Sequence, residues 1–391
     1  MNVFDYLKWR SDVPFSASPF NDVDNLILAE LSYTDFAGIV SENGPAVSLR
    51  DVHEQYFRLH SRAAISSATS LTARSPLLMD EMCSGARFRD TQLVFYRNER
   101  DAEADLQFSA VTFLLPDGNA YVAFRGTDGT LTGWKEDFNL SYLDATEGQQ
   151  HAAEYLDAAG KALICPLRVG GHSKGGNLAI YAAACCSAAV RDRIAAVYSN
   201  DGPGFRLDFV SGEAYRRILP RITVIIPDTS VIGMLMESLT VPKVVRSSAS
   251  GMVQHDGFTW ETERDGFVPA KLSETSRLVR QTLTGLLEQT DDESRKAITE
   301  TVFSLLESTG EDTFRGIGDS KWKSLEAIAQ SARNLPKGSL QELGRLISRL
   351  GQSGVRTASS YIQTIAAEKL QGLGDSGTKR IQESSEEATD E

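Results

Sequence analysis

Gly171-His172-Ser173-Lys174-Gly175 fits the pattern G-x-S-x-G, and its surroundings give the pattern chemical meaning. An extended run leads into it from Pro166, and an apolar helical run continues to Ala184. In that context the serine stands on a tight strand-to-helix turn, with its hydroxyl lifted clear of a sheet. The flanking glycines are required because a Cβ there would collide with neighbouring backbone. The amide after the serine opens a helix, where positive partial charge favours an oxyanion. A phosphate loop does not fit: Lys174 follows a serine rather than a glycine, and no Ser or Thr comes next. The structural alternative is a glycine-rich turn that only packs.

A serine hydroxyl is a weak nucleophile at neutral pH and needs a base in contact. The chain has five histidines: His53, His60, His151, His172 and His255. Hydrolases with this elbow order their triad as Ser, acid, His. Only His255 lies downstream of Ser173, in the loop-like run Gly251 to Gly257. His172 occupies the x of the motif, so its side chain is expected to point away from that of the serine. Two aspartates could orient His255. Asp201 follows the first strand after the elbow and Asp228 closes a later one. Asp228 is preferred because it lies between Ser173 and His255 at the later strand end. Two backbone donors are needed for an oxyanion. Lys174 N–H is one, and Thr127, in the loop Arg125-Gly126-Thr127, is the candidate for the other. Arg125 could brace that loop against Asp137.

These groups need a scaffold that brings strand ends together. Leu106 to Leu115 and Ala120 to Phe124 flank Pro116-Asp117-Gly118-Asn119 and read as a hairpin. Trp134, Asp137 and Phe138 are expected on the loop that follows, and a helix covers about Gln149 to Ala162. Ile194 to Ser199 and Ile222 to Ile226 are short apolar strands. Strands of this kind alternating with helices predict a mostly parallel sheet covered by helices, with chemistry at the strands' carboxyl ends. The fold class expected is therefore α/β.

The flanks differ from this core. Residues 1–80 read as helices packing on it, with Asn21 to Asp24 capping a helix through Leu26, Leu28 and Leu31. Val52 to Ile65 reads as a second helix, whose His53 and His60 are surface or packing residues rather than a metal pair. Residues 81–271 form the expected catalytic core. Helical periodicity takes over in 272–371, in stripes at Ile298/Val302/Leu305/Leu306, Trp322/Leu325/Ile328/Ala329 and Leu340/Leu343/Leu346/Ile347/Leu350. Those helices are expected to pack on the core, with a small bundle of their own or a protein partner as the alternatives. Residues 372–391 are polar, acidic at the end, and expected to be disordered.

Composition bounds the function class. A net charge of −13 argues against nucleic acid as a partner. Cys83, Cys165, Cys185 and Cys186 have no metal-ligand spacing and are expected as buried free thiols in a reducing compartment. Neither a secretory signal nor a bilayer-spanning apolar run is visible, so a cytoplasmic location is expected. No metal or organic cofactor is expected.

Ala123-Phe124-Arg125-Gly126-Thr127-Asp128, then Trp134-x-x-Asp137, then Gly171-His172-Ser173-Lys174-Gly175-Gly176 together resemble the class 3 (fungal-type) lipases, which are α/β-hydrolases. The likeness is greater to a bacterial branch of that superfamily, with runs similar to QFSAVTF, FRGTD, GWKEDFN, GHSKGGNLA, SNDGPGF and QHDGFTW. It spans about residues 20 to 265. By position it implies Ser173 as nucleophile, Asp228 as acid, His255 as base and Thr127 as oxyanion donor. Lys174 stands where those lipases usually have leucine, and the helical C-terminal third has no counterpart in them.

The expected function is hydrolysis of a carboxylic ester, small-molecule or lipid, through an acyl-enzyme. A thioesterase or acyltransferase would use the same triad, and a non-catalytic binding or scaffold protein is the alternative from another class. Lys174, Lys243 and Arg246 further suggest a preference for soluble short-chain or anionic acyl esters over neutral triglyceride emulsions.

Overall fold

The computed structural model describes residues 1–67, 72–249, 251–274, 276–277, 280 and 290–308. Eight strands form the central sheet: β1 (Val47–Ser48), β2 (Gln92–Asp101), β3 (Leu106–Leu114), β4 (Ala120–Phe124), β5 (Leu167–His172), β6 (Ile194–Asn200), β7 (Ile222–Pro227) and β8 (Lys243–Val245). Their spatial order is their chain order. Pairing is antiparallel from β1 to β4 and parallel from β4 to β8. The mostly parallel sheet with flanking helices is the architecture of an α/β-hydrolase. The hairpin β3–β4 turns on Pro116 to Asn119, as the turn chemistry predicts. The long strand β2 and the edge strands β1 and β8 are additions to the sequence reading.

The sheet order explains how the layers are built. Parallel strands laid down one after another, each joined by a right-handed crossover, put every crossover on one face. The helices Glu147–Ala162, Lys174–Cys185 and Glu213–Ile218 accordingly share a single apolar layer with Val122, Val169, Val197 and Val224. The opposite face has no crossover to cover it. Its residues Val111, Tyr121, Tyr198 and Ile225 are buried by the N-terminal segment, through Leu26, Ile27, Val52 and Met79. Alternation along β4 sends Ala120, Val122 and Phe124 to the crossover layer and Tyr121 and Ala123 to the N-terminal layer. With both faces buried, the strand reads as a continuous apolar run.

The helix Asp22–Leu31 lies at the centre of the N-terminal layer. The Asn21 side chain and Asp24 form a capping box at its start. Asp24 is also the partner of Arg87, and both side chains are fully buried. Arg87 further donates to the carbonyls of Val13, Ser18 and Pro19, so the buried guanidinium also ties down the loop before the helix. The expected helix Val52 to Ile65 is two helices, Leu49–Leu59 and Arg62–Ser67, broken where His60 turns extended. His53 pairs with Asp80 at 2.7 Å, and His60 stacks on Tyr56.

Trp134, Asp137 and Phe138 stand on a helix, Leu131–Asn139, rather than on a loop. The Thr130 hydroxyl caps it by accepting the Gly133 N–H at 3.2 Å. Against this helix packs a later one, Asp292–Glu307, which contains the first predicted apolar stripe. Phe303 meets Phe138 with ring centroids 5.7 Å apart, and Arg295 donates to the Ser141 carbonyl at 2.7 Å. The other two stripes and the acidic tail lie outside the described residues. Cys186 is buried, whereas Cys185, expected to be buried beside it, is exposed at the helix end. Among the described residues, no helix is long and apolar enough to cross a membrane.

Candidate active site

Ser173 has φ 57° and ψ −133°, a conformation an L-residue adopts only under constraint. The constraint is visible on both sides. Its N–H donates to the Asn200 carbonyl of β6 at 2.9 Å, and its carbonyl accepts the Gly176 N–H at 2.9 Å. The glycines of the motif let strand and helix meet. A Cβ on Gly175 would stand 2.1 Å from the Phe124 carbonyl oxygen, and one on Gly171 would stand 2.3 Å from the Gly175 backbone.

His255 lies on a short 3₁₀ segment, Gly251–His255. Its Nδ1 is 2.7 Å from Asp201 Oδ2. The acid at His255 is therefore Asp201, and the preference for Asp228 is corrected. Asp201 follows directly on β6 with φ 48°, and its N–H donates to the Ile225 carbonyl of β7. After Pro227 the chain turns back over it. Ser230 Oγ donates to Asp201 Oδ1 at 2.5 Å, and the Gly233 N–H does so at 3.1 Å. Asp201 thus accepts three hydrogen bonds and is 1% exposed. Asp228 instead has Arg246 and Glu261 as charged neighbours, and partial burial raises its carboxyl above the usual range.

Ser173, His255, Thr127 and Lys174 line one cavity of about 580 Å³. Its wall is mostly apolar, with Trp134, Phe138, Leu140, Ile232, Leu235 and Met236. Thr127 Oγ1 donates to Asp137 Oδ2 at 2.6 Å, so the helix Leu131–Asn139 holds the loop that carries Thr127. Burial raises the Asp137 carboxyl to about 6. Arg125 reaches Asn98 at 3.1 Å and Asp128 at 3.6 Å, rather than bracing the loop through Asp137.

The Lys174 side chain does not serve the site as an exposed cation. Its ammonium is 1% exposed, and it donates to Glu136 Oε2 at 2.6 Å and to Gln107 Oε1 at 2.9 Å. Glu136 also accepts the Gly148 N–H at 2.8 Å. A buried lysine needs such a paired and fully hydrogen-bonded partner. Lys243 is likewise paired, with Asp22 at 2.6 Å. Neither Lys243 nor Arg246 lines the cavity, so the expected preference for anionic esters finds no support in these three cations. What remains of Lys174 for chemistry is its backbone amide, at the first position of the helix after Ser173.

Three residues that the sequence reading left out of the site also border the cavity: Glu30, Tyr33 and Asp256. Glu30 and Tyr33 come from the N-terminal layer. No motif marks them, because their closeness to the elbow arises only when the helix Asp22–Leu31 crosses the carboxyl ends of the strands.

Residues 82–304 match the Mbeg1-like family model. No curated protein matches the sequence. Among solved structures, the crystal structure of M37 lipase is similar over 55% of this chain and 70% of that one, at 13% identity and a TM-score of 0.35. With more than half of its length matched, the chain belongs to the Mbeg1-like family, a lipase-like family.

Proposed function

We propose that this protein is a serine hydrolase that cleaves an uncharged acyl ester through a covalent acyl-enzyme. The observation that carries the reading is the 2.7 Å contact between His255 Nδ1 and Asp201 Oδ2, beside a serine held in the strained elbow conformation. A carboxylate on Nδ1–H fixes the tautomer and leaves Nε2 as the base. His255 takes the Ser173 proton as Oγ attacks the ester carbonyl. The Thr127 and Lys174 amides receive the oxyanion. His255 then protonates the leaving alcohol, and in the second half it activates the water that releases the acid.

The cavity wall supports an apolar acyl group. The carboxylates of Asp128 and Asp137 on that wall oppose an anionic head group. The test is labelling by a fluorophosphonate together with hydrolysis of two chromogenic esters, one neutral and one carrying a carboxylate. Labelling at Ser173, its loss in Ser173→Ala and faster turnover of the neutral ester are expected. Labelling that persists in Ser173→Ala would overturn the nucleophile, and faster turnover of the anionic ester would overturn the substrate class.

A further inference from the structure

A chain of polar contacts runs behind the elbow and touches both loops that the reaction needs. His172 is buried, which pushes its imidazole well below the ordinary value, so it is neutral and holds one ring proton. Its Nε2 lies 2.7 Å from the His255 carbonyl oxygen. A carbonyl only accepts, so the proton is on Nε2 and Nδ1 is an acceptor. The Tyr33 hydroxyl, 3.0 Å from Nδ1, must then donate to it. The same phenol oxygen lies against the Gly126 backbone, one residue before Thr127. A Cβ on Gly126 would stand 2.2 Å from that oxygen, so the glycine is what allows the approach. The His172 and His255 rings lie tilted with centroids 4.6 Å apart.

We propose that Tyr33 and His172 are positioning residues, a brace that sets the oxyanion loop and the base loop at a fixed separation across the elbow. Tyr33 O–H donates to His172 Nδ1, with the His172 carbonyl as a longer second acceptor at 3.4 Å, and His172 Nε2–H donates to the His255 carbonyl, while the Gly126 backbone packs against the phenol oxygen. The brace touches the backbone of both loops. Neither of its side chains acts on the substrate. Tyr33 lies outside residues 82–304, so the brace makes the N-terminal layer part of the active site. The inference rests on the roles proposed for Ser173 and His255.

The test uses the full chain and five proteins: wild type, Tyr33→Phe, His172→Leu, His172→Gln and the double variant Tyr33→Phe/His172→Leu. For each, kcat and KM for a neutral ester are measured alongside the rate of fluorophosphonate labelling and the melting temperature. Loss of one buried hydrogen bond is expected to lower kcat about 10-fold in Tyr33→Phe, and loss of the donor to the base loop about 10- to 100-fold in His172→Leu, with KM little changed. His172→Gln offers an amide N–H at nearly the place of Nε2 and is expected to recover most of the loss. Tyr33→Phe combined with His172→Leu should be no slower than His172→Leu alone, because both break one chain. Wild-type kcat in both single variants would overturn the brace. So would a His172→Gln protein as slow as His172→Leu, with kcat falling only in step with melting temperature. A wild-type protein that takes no label would overturn the serine-hydrolase reading first, and the brace with it.

Discussion

Asp201 and Asp228 are the same residue type at the ends of neighbouring strands, and only their surroundings separate them. Asp201 gives one carboxylate oxygen to His255 and the other to Ser230 and Gly233. Replacing it by Asn puts an N–H donor where an acceptor is needed and favours the wrong imidazole tautomer. Asp201→Asn is expected to lower kcat by up to ~10⁴-fold, as removal of the charge does in a triad of this kind. Asp228→Asn should change it little. The comparison is made on esterase turnover with both variants shown to be folded, and the reverse order would refute the assignment. Both aspartates lie between Ser173 and His255 in the chain, and the later strand end favours Asp228 in the sequence. The choice is made by the backbone after Pro227, which folds its hydroxyl and amide donors onto Asp201. That turn has no signature in residue type. Lys174 departs from its sequence expectation for a related reason. A lysine beside a nucleophile looks like a surface cation until Glu136 and Gln107, 38 and 67 residues earlier, are seen to bury it.

Elements with local causes were the legible ones. The β3–β4 hairpin has its turn residues, the helix Asp22–Leu31 has its cap, and the elbow has glycines at both ends. The spacing of those glycines makes a sharp prediction. Gly175 opens the second half of the turn, and a methyl group there would meet the Phe124 carbonyl, which belongs to the backbone of β4 and cannot swing aside. Gly175→Ala is expected to push the helix Lys174–Cys185 off the sheet and to cost about 1–3 kcal/mol, the usual range for overpacking. The denaturant midpoint measures the cost, and the labelling rate should fall with it because Ser173 sits on the displaced turn. A variant with wild-type stability and labelling would mean that the turn relaxes freely. Elements with non-local causes were less legible. Strand β2 ends in Arg97, Asn98, Glu99, Arg100 and Asp101, a charged run that reads as loop. It becomes strand by pairing with β3 across a register shift between Val94 and Arg97. The helix Leu131–Asn139 carries a glycine and only nine residues, and its contacts with β3 and with the helix Asp292–Glu307 make up for weak propensity.

At the scale of the whole molecule, the order of the sheet decides where the polar core lies. Sequential right-handed crossovers leave one face to the N-terminal layer, and that layer meets the strand ends at Glu30, Tyr33 and His172. Glu30 Oε1 lies 3.7 Å from His172 Nδ1, a separation at which a carboxylate and an imidazolium would form an ion pair. Burial argues for the neutral forms. Desolvation, with Asp256 adding to it, raises the Glu30 carboxyl well above 4.5, and desolvation depresses His172. The two descriptions give opposite pH dependence. If Glu30 is neutral when folded, the unfolded chain releases its proton near 4.5 while the folded chain keeps it. The folded state then binds more protons in that window, and stability falls as pH rises from about 4.5 to the folded value. If it were a paired carboxylate, with its pKa lowered, stability would be gained as pH rises toward 4.5. Glu30→Gln keeps the shape beside Gly257, but it has no proton to lose. The variant is expected to match wild type in urea midpoint near pH 4 and to exceed it at pH 8. A variant weaker than wild type at pH 8 would mean that Glu30 is a charged partner of His172. In that case Tyr33 could not donate to Nδ1, because a charged imidazole carries a proton on both nitrogens.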